Sequence, residues 1–204
     1  MVINLSPVRM DDSLIIEKAG DAIRLNGVLF DFSALPDGAS LPAEAIGSNW
    51  ICNPVERVDG SLVVTLLMPH GPEAGERSRF PVAIVNPVDG RVPLPTDSDP
   101  QPDDPATILP STDGVINWGQ LITQEAKNQA MAAEHLATVI AETVARRATA
   151  DAAIKPLQDA VDIDDATDTE LLKLKAWKKY RVALSRLPDQ AGYPTEIDWP
   201  VVPA

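Results

Sequence analysis

Few side chains in this sequence could act as nucleophiles, bases or metal ligands. Its 204 residues contain one cysteine, Cys52, and two histidines, His70 and His135. Nucleophilic catalysis requires a base beside the nucleophile, and a zinc site requires about four Cys, His or carboxylate ligands. We therefore predict no catalytic, cofactor-binding or metal-binding residues, and no intrachain disulfide.

An acidic cluster, DIDDATD at residues 162–168, holds other groups that could do chemistry. A calcium-binding loop needs an internal glycine and a terminal glutamate, and the cluster has neither at the required spacing. Asp164 and Asp168 could act as a carboxylate pair, but no base, metal set or phosphate-binding loop accompanies them. A solvated, helix-capping turn is the favoured interpretation, ahead of a calcium site or an enzyme.

The cluster leads into an amphipathic helix with aromatic residues. Thr167 followed by Glu170 is a capping box, so a helix should begin near Asp168, and Pro188 should end it. Its apolar side chains fall within about 140° of one another at about 100° per residue. They are Leu174, Trp177, Tyr180, Leu184 and Leu187. In the simplest interpretation this face packs on the preceding helix and the lysines are solvated.

A longer, alanine-rich helix is predicted before the cluster, from Asn117 to about Ala150. Its seam recurs at alternating spacings of four and three. The seam residues are Ile122, Ala126, Gln129, Ala133, Leu136, Ile140 and Thr143. Alanine buries little apolar area, so this helix must pack on a second helix or on another chain. Pro156 should start or kink the segment that follows.

The first 95 residues carry the turn signals of short strands. AIRLNGVLFDF alternates around Asn26-Gly27, and RVDGSLVVTLLM surrounds Asp59-Gly60; both dipeptides favour two-residue hairpin turns. A third hairpin is predicted at Asp89-Gly90, and a helical turn at Ala43 to Ile46. These signals predict a small antiparallel sheet or sandwich.

A proline-rich acidic segment separates the strands from the helices. TDSDPQPDDPATILPSTDG, residues 96–114, has four prolines, five aspartates and no basic residue. Proline disfavours helix and sheet, and like charges extend the chain, so the segment should be a linker. We predict an α+β protein with a β-rich domain (1–95), an acidic linker (96–114) and a helical domain (115–204) that contains the long helix and a helical hairpin.

The formal net charge of −13 argues against general affinity for nucleic acid or anionic membranes, because either would repel the protein. No apolar run approaches the roughly 20 residues that span a bilayer. The N-terminus also lacks a basic segment followed by an apolar stretch. We therefore expect a soluble protein of cytosolic origin.

The C-terminal segments occur in a distinctive order. An alanine-rich helix precedes IKPLQDAVDIDDATDTELLKLKAWKKYRVALSRL, which a short spacer joins to IDWPVVP. This order, over about residues 115–203, resembles the C-terminal region of tailed-bacteriophage tail fibre assembly proteins. The first 95 residues do not show the fibre-tip-binding pattern associated with that family.

The resemblance implies a non-enzymatic, chaperone-like protein that helps the phage tail fibre to fold or trimerise, and that in some cases stays on the fibre. It implies the host cytoplasm during assembly, or the virion tail, as the location, and it is compatible with an oligomer that matches a trimeric fibre. Within the matched region we expect Trp177, Tyr180, Arg181 and Trp199 to contact the partner, because these residue types dominate interface energetics. Core packing is the alternative, and it is stronger for Trp177 and Tyr180 than for Trp199.

A structural tail, baseplate or fibre-adaptor component of the virion is the alternative function. In that hypothesis the N-terminal β domain docks onto the virion, and the helices reach a fibre or a neighbouring tail or baseplate protein. It accounts better for the first 95 residues. Fixed stoichiometry in purified virions would favour it, whereas presence only in infected-cell lysate would favour the assembly factor.

Overall fold

The computed structural model describes residues 1–95, 97 and 112–203. The chain forms two compact units, Met1–Lys127 and Asn128–Ala204. Strands dominate the first unit and helices dominate the second. The α+β fold class predicted from the sequence is therefore confirmed.

Two five-stranded sheets make up the first unit within the described residues. The strands are β1 (Val2–Arg9), β2 (Ile16–Ala19), β3 (Ala22–Leu25), β4 (Val28–Asp31), β5 (Ser40–Leu41), β6 (Val55–Val58), β7 (Ser61–His70), β8 (Ile84–Val85), β9 (Gly90–Val92) and β10 (Thr112–Asp113). One sheet has the order β5-β6-β7-β1-β8 and the other has the order β10-β4-β3-β2-β9. A short helix, α1 (Glu76–Arg79), precedes β8, and a 3-10 helix at Ala43–Ala45 forms the predicted helical turn.

Turn chemistry determines two hairpins of the first unit. Asn26 (φ 49°) and Gly27 (φ 89°) join β3 to β4, while Asp59 (φ 49°) and Gly60 (φ 74°) join β6 to β7. Positive φ at both central residues gives the turn whose twist matches the flanking strands. Both predicted hairpins are confirmed.

The third predicted hairpin, at Asp89-Gly90, is wrong. β8 pairs with β1 in one sheet, whereas β9 pairs with β2 in the other. The Asp89 carboxylate accepts hydrogen bonds from the Gly20 N–H (3.1 Å) and from Lys18 Nζ. These bonds fix the segment to the turn between β2 and β3, so it crosses between the sheets instead of folding back on itself.

The sheets are mixed, whereas turn signals alone predicted antiparallel pairing. β1 runs parallel to β7, from the pair Val2 and Val63 to the pair Arg9 and His70. β10 also runs parallel to β4. Two-residue turns join only antiparallel strands that are adjacent in sequence. The parallel pairs are nonlocal, and local turn chemistry carries no information about them.

Side chains from both sheets form one apolar core. Ile3 and Val64 of the first sheet are completely buried with Ile23 and Phe30 of the second. Trp118 and Leu121, which follow β10, pack against the same core. Burial of apolar surface stabilises the fold by about 25 cal/mol per Å². Residues on both sides of the predicted linker contribute to this burial.

The predicted linker at residues 96–114 lies mostly outside the described residues, at Thr96 and residues 98–111. Its described residues attach to the first unit. Asp97 accepts hydrogen bonds from the Arg77 and Ser78 N–H groups (3.0 and 3.2 Å) at the start of α1. The Ser78 side chain and these N–H groups lower the pKa of the Asp97 carboxyl. Residues 112–113 form β10 on β4.

The chain stays on the first unit after β10. A Cβ atom on Gly114 would lie 2.2 Å from Phe30 Cε1, so glycine permits this close approach. Ile116 forms a bridge with Ile46, and Ile122 forms one with Ser40. Residues 112–122 are therefore integral to the β unit.

Two helices dominate the second unit: α2 (Gln124–Asp162), which begins in the first unit, and α3 (Asp168–Ser185). α3 begins where predicted, since Thr167 Oγ1 accepts from the Glu170 N–H (3.3 Å) and Glu170 Oε2 accepts from the Thr167 N–H (2.8 Å). α2 begins after Asn117, whose side chain instead caps a 3-10 helix at Trp118–Gln120. Pro156 lies inside α2 rather than starting a new helix.

The predicted seam of α2 is only partly right. Leu136 and Thr143 are half-buried, as predicted, but Val139 is buried where Ile140 was expected, and Ile140 is 49% exposed. The predicted residues before Leu136 are exposed. Alanine occurs on every face of α2, so its hydrophobic periodicity is too weak to distinguish neighbouring registers.

Candidate partner-binding surface

The second unit has a small aromatic core. Tyr180, Leu184 and Leu187 are buried together with Ala150 of α2. Spacings of four and three residues place the first three on one side of α3 and of the turn that follows it. The buried side of α3 is the apolar face predicted from the sequence.

Trp177 lies at the border of this core. Its ring packs against Tyr180 edge to face, with centroids 5.8 Å apart and planes at 86°. Such a pair contributes about 0.5–1.5 kcal/mol beyond the burial of area. Trp177 is only half-buried, so part of its surface is accessible to a partner.

Arg181 forms an ion pair with α2. Its Nη1 donates to Asp151 Oδ1 at 2.8 Å, and the side chains are 42% and 56% exposed. A solvated pair of this kind contributes about 0–1 kcal/mol. A carboxylate on a partner could therefore replace Asp151 at little cost.

Trp199, in the C-terminal tail, packs on Arg146 of α2. The guanidinium carbon of Arg146 lies 4.3 Å from the centroid of the Trp199 ring. Arg146 Nε donates to Glu142 Oε1 at 2.7 Å, and this bond, together with a hydrogen bond to Tyr180, raises the pKa of Arg146 above its usual value. Arg146 therefore links Trp199 to the aromatic core.

Arg146 is a residue that the sequence patterns did not identify. It is one of 17 basic residues, and although its spacing from Thr143 and Ala150 places it on the packed side of α2, an arginine there gives no sign of an aromatic partner. Its role depends on a tail residue more than 50 positions away in the sequence, so no local signal could have identified it.

Main-chain groups of the tail bond to Gln190, which follows α3, and to His135 of α2. The Gln190 side-chain amide donates to the Asp198 carbonyl and accepts from the Asp198 N–H, both at 2.9 Å. A His135 ring nitrogen lies 2.9 Å from the Pro194 carbonyl oxygen. The segment between Gln190 and Asp198 contains a cis peptide bond at Tyr193-Pro194.

The contacts of the tail give its direction along α2. His135 and Arg146 are separated by about 16 Å along the helix axis, at about 1.5 Å per residue. Pro194 contacts the first of these residues and Trp199 contacts the second. The order of these contacts shows that the tail runs in the same direction as α2, and the chain turns at residues 191–195, where the Glu196 N–H donates to the Gly192 carbonyl oxygen (2.7 Å).

The four residues predicted to bind a partner have different environments. Tyr180 is buried at 4% exposure, while Trp177, Arg181 and Trp199 are half-buried. Trp177, Tyr180 and Trp199 belong to one cluster, whereas Arg181 pairs with Asp151 beside it. Three of the four residues thus combine an internal contact with a surface that a partner can reach.

The groups considered for chemistry are not organised into a metal site. Among the described residues, no group of three His, Cys, Asp or Glu side chains is arranged to hold a metal ion. Burial raises the pKa of the Cys52 thiol, which disfavours the reactive thiolate. Nor does any described helix have the length and hydropathy to cross a bilayer.

The sequence matches one family model. That model is described as Caudovirales tail fibre assembly protein, lambda gpK, and it matches residues 92–204, more than half of the chain. The match includes the whole second unit and the end of the first. No solved structure matches the chain.

Curated relatives match over a shorter segment. The chain is 56% identical over 50 residues to a probable tail fiber assembly protein of Acyrthosiphon pisum secondary endosymbiont phage 1. It is 54% identical over 50 residues to the tail fiber assembly protein of Escherichia phage lambda. Each segment covers 24% of this chain, and the matches span only 31% and 25% of the two relatives.

Proposed function

Because the chain belongs to the Caudovirales tail fibre assembly protein family, we propose that it binds the phage tail fibre and helps it to fold or trimerise, without catalysing a reaction. The family match over residues 92–204 carries this proposal. The names of the phage relatives support it. The protein acts in the host cytoplasm during assembly, as a partner of a trimeric fibre.

We assign the fibre contacts of the helical unit to Trp177, Arg181 and Trp199, with Tyr180 as their support. The two tryptophans are half-buried, so part of each ring can contact the fibre while the rest of the ring stays packed in the core. Arg181 already makes a solvated ion pair, and a fibre carboxylate can replace Asp151. Buried Tyr180 holds the Trp177 ring edge to face.

The charge of the chain favours a protein partner. At a net charge of −13, the chain repels nucleic acid and anionic membranes over distances of about a Debye length. The half-buried aromatic residues favour contact with apolar surface, which a β-rich protein exposes before its strands have paired.

Residues 1–91, which lie outside the family match, favour a second candidate: a virion component whose β unit docks on the tail or baseplate. The copy number in purified virions distinguishes the two functions. Fixed stoichiometry supports the component, and absence from virions supports the assembly factor.

Co-expression with the cognate tail fibre tests the proposed function. We expect the full chain to raise the yield of soluble, trimeric fibre. A variant that ends at Lys127 keeps residues 112–127 on the β unit and removes the helical unit. We expect this variant to lose most of the effect.

Two substitutions in the tail supply a matched control. Trp199→Ala removes a proposed contact, whereas Val201→Ser changes a neighbouring side chain that is 89% exposed. Equal recovery of native fibre with and without the full chain would contradict an assembly role. Equal recovery with both variants would contradict only the assignment of Trp199.

A further inference from the structure

The edge strands of the two sheets differ in how well they are protected from pairing with a strand of another chain. The β5 edge is closed by Ile122, which exchanges two hydrogen bonds of 2.9 Å with Ser40. The β9 edge carries Arg91 and the β10 edge carries Asp113, and such charges oppose pairing with another strand. Within the described residues, β8 is the edge strand with neither a charge nor a covering segment.

The chain around β8 exposes large apolar side chains. Residues 80–88 contain no charged residue. The exposed side chains, with their exposed fractions, are Phe80 (74%), Val82 (79%), Val85 (63%) and Val88 (81%). We call these four side chains the β8 surface. By contrast, Phe30 and Phe32 are buried in the core. These four side chains lie within nine consecutive residues, and contiguous exposed apolar surface is typical of an interaction site.

The main chain of β8 has hydrogen-bonding groups that face outward. The Asn86 N–H donates to the Met1 carbonyl oxygen at 2.9 Å, next to the pairs of Val85 with Val2 and Ile84 with Ile3. In an antiparallel ladder, successive residues of a strand alternate between bonding to the partner and pointing away from it. Ile84 therefore bonds towards β1, and the N–H and carbonyl of Val85 point away from the sheet.

Prolines limit the length of this edge. Pro81 and Pro87 flank β8, and neither can donate a main-chain hydrogen bond. A partner strand therefore cannot form main-chain hydrogen bonds along all of residues 81–87, but it can form them with Val85. Affinity must then come mainly from the β8 surface, so the edge selects an apolar partner segment.

We propose that the β8 edge binds an extended, uncharged apolar strand of the tail fibre by β-augmentation, with the partner's side chains against the β8 surface. This inference rests on the proposed function for the identity of the partner. An open edge with apolar side chains is the geometry by which a peptide strand adds to a sheet. A second copy of the chain fits less well, because two copies that each carry a charge of −13 repel each other.

Hydrogen–deuterium exchange of the full chain, alone and bound to the co-expressed fibre, tests the pairing directly. The outward N–H of Val85 should exchange rapidly in the free protein and become protected in the complex. Fibre contacts made elsewhere on the protein would leave this amide exchanging rapidly. An unprotected Val85 amide in a stable complex would overturn the proposal.

Substitutions give a second measurement. Val85→Pro removes the outward N–H together with the Val85 side chain, and Val82→Ser removes an apolar side chain without changing the main chain. Each should weaken fibre binding about tenfold or more and leave thermal unfolding unchanged. Val115→Ser is the matched control, because Val115 is also 74% exposed in the same unit; its binding should equal that of the wild type.

The outcomes separate this inference from the proposed function. If the wild type binds the fibre and both β8 variants bind equally well, the β8 edge is not the site and the proposed function stands. A wild type that binds no fibre overturns both. If the free protein forms a dimer that Val85→Pro dissociates, the occupant of the edge is a second copy and the fibre assignment is wrong.

Discussion

The guanidinium of Arg146 lies over the ring of Trp199, 4.3 Å from its centroid, and this contact joins the C-terminal tail to the long helix. Glu142 Oε1 accepts a hydrogen bond of 2.7 Å from Arg146 Nε and holds the guanidinium in place. Trp199 is thus part of the packing of the helical unit as well as a proposed fibre contact. Its two roles have separate measurable consequences.

Trp199→Ala should destabilise the helical unit. The half-buried ring loses its packing on the aromatic core and its cation–π contact, so we expect a loss of about 1–3 kcal/mol in the free energy of unfolding. Thermal or denaturant unfolding of the purified variant measures it. A loss below about 0.5 kcal/mol, the range of neutral surface substitutions, would show that the tail is not part of the packed unit.

A double-mutant cycle with Arg146→Met isolates the contact itself. Methionine keeps much of the apolar stem of arginine and removes the charge. We expect a coupling free energy of about 0.5–1.5 kcal/mol between residues 146 and 199. Additive effects of the two substitutions would mean that the ring is stabilised by apolar packing alone.

Two aromatic residues on α3 should differ in their effects on stability. Tyr180→Ala empties a buried site and should cost about 3–5 kcal/mol, whereas Trp177→Ala, at the border of the core, should cost about 1–3 kcal/mol. Leu172→Ser, on the exposed side of α3, is the control and should change stability by less than about 0.5 kcal/mol. Equal costs for Tyr180→Ala and Leu172→Ser would contradict the burial of Tyr180 in the core of the helical unit.

The sequence predicted the elements that depend on local chemistry. The capping box at Thr167 and Glu170 and the hairpins at Asn26-Gly27 and Asp59-Gly60 are confirmed, because a few neighbouring residues determine each of them. The parallel pairing of β1 with β7 and the contact of Arg146 with Trp199 depend on residues distant in sequence. Periodicity and turn signals contain no information about such pairs.

Glu170 should make the stability of the helical unit sensitive to acid. The Thr167 N–H and hydroxyl lower the pKa of its carboxyl below the ordinary value of 4.5. A depressed pKa in the folded state contributes stability that is present above pH 4.5 and is lost as the pH falls through the folded-state pKa. Thermal unfolding from about pH 7 to about pH 3 should show this loss.

Glu170→Gln is the control for this effect. The amide oxygen of glutamine can still accept a hydrogen bond from the Thr167 N–H, but the side chain does not titrate. We expect a smaller decline in stability with acid for this variant than for the wild type. Identical acid profiles would show that the capping box does not couple to pH.

Cleavage of the predicted linker should leave the two fragments together. Asp97 caps α1, and β10 pairs with β4, so both sides of residues 98–111 are attached to the β unit. A specific protease site inserted between Asp103 and Asp104 permits a single cut. The fragments should co-elute in size-exclusion chromatography under native conditions and separate in denaturant.

The second fragment should stay docked because its first residues belong to the β unit. Ile116 and Ile122 bridge to the sheets, and Trp118 and Leu121 pack on the core. Replacement of Trp118 by serine in the cleaved chain removes one of these anchors and should promote separation. Fragments that separate natively without this substitution would place the domain boundary at residues 96–114, instead of after Lys127, where the compact β unit ends.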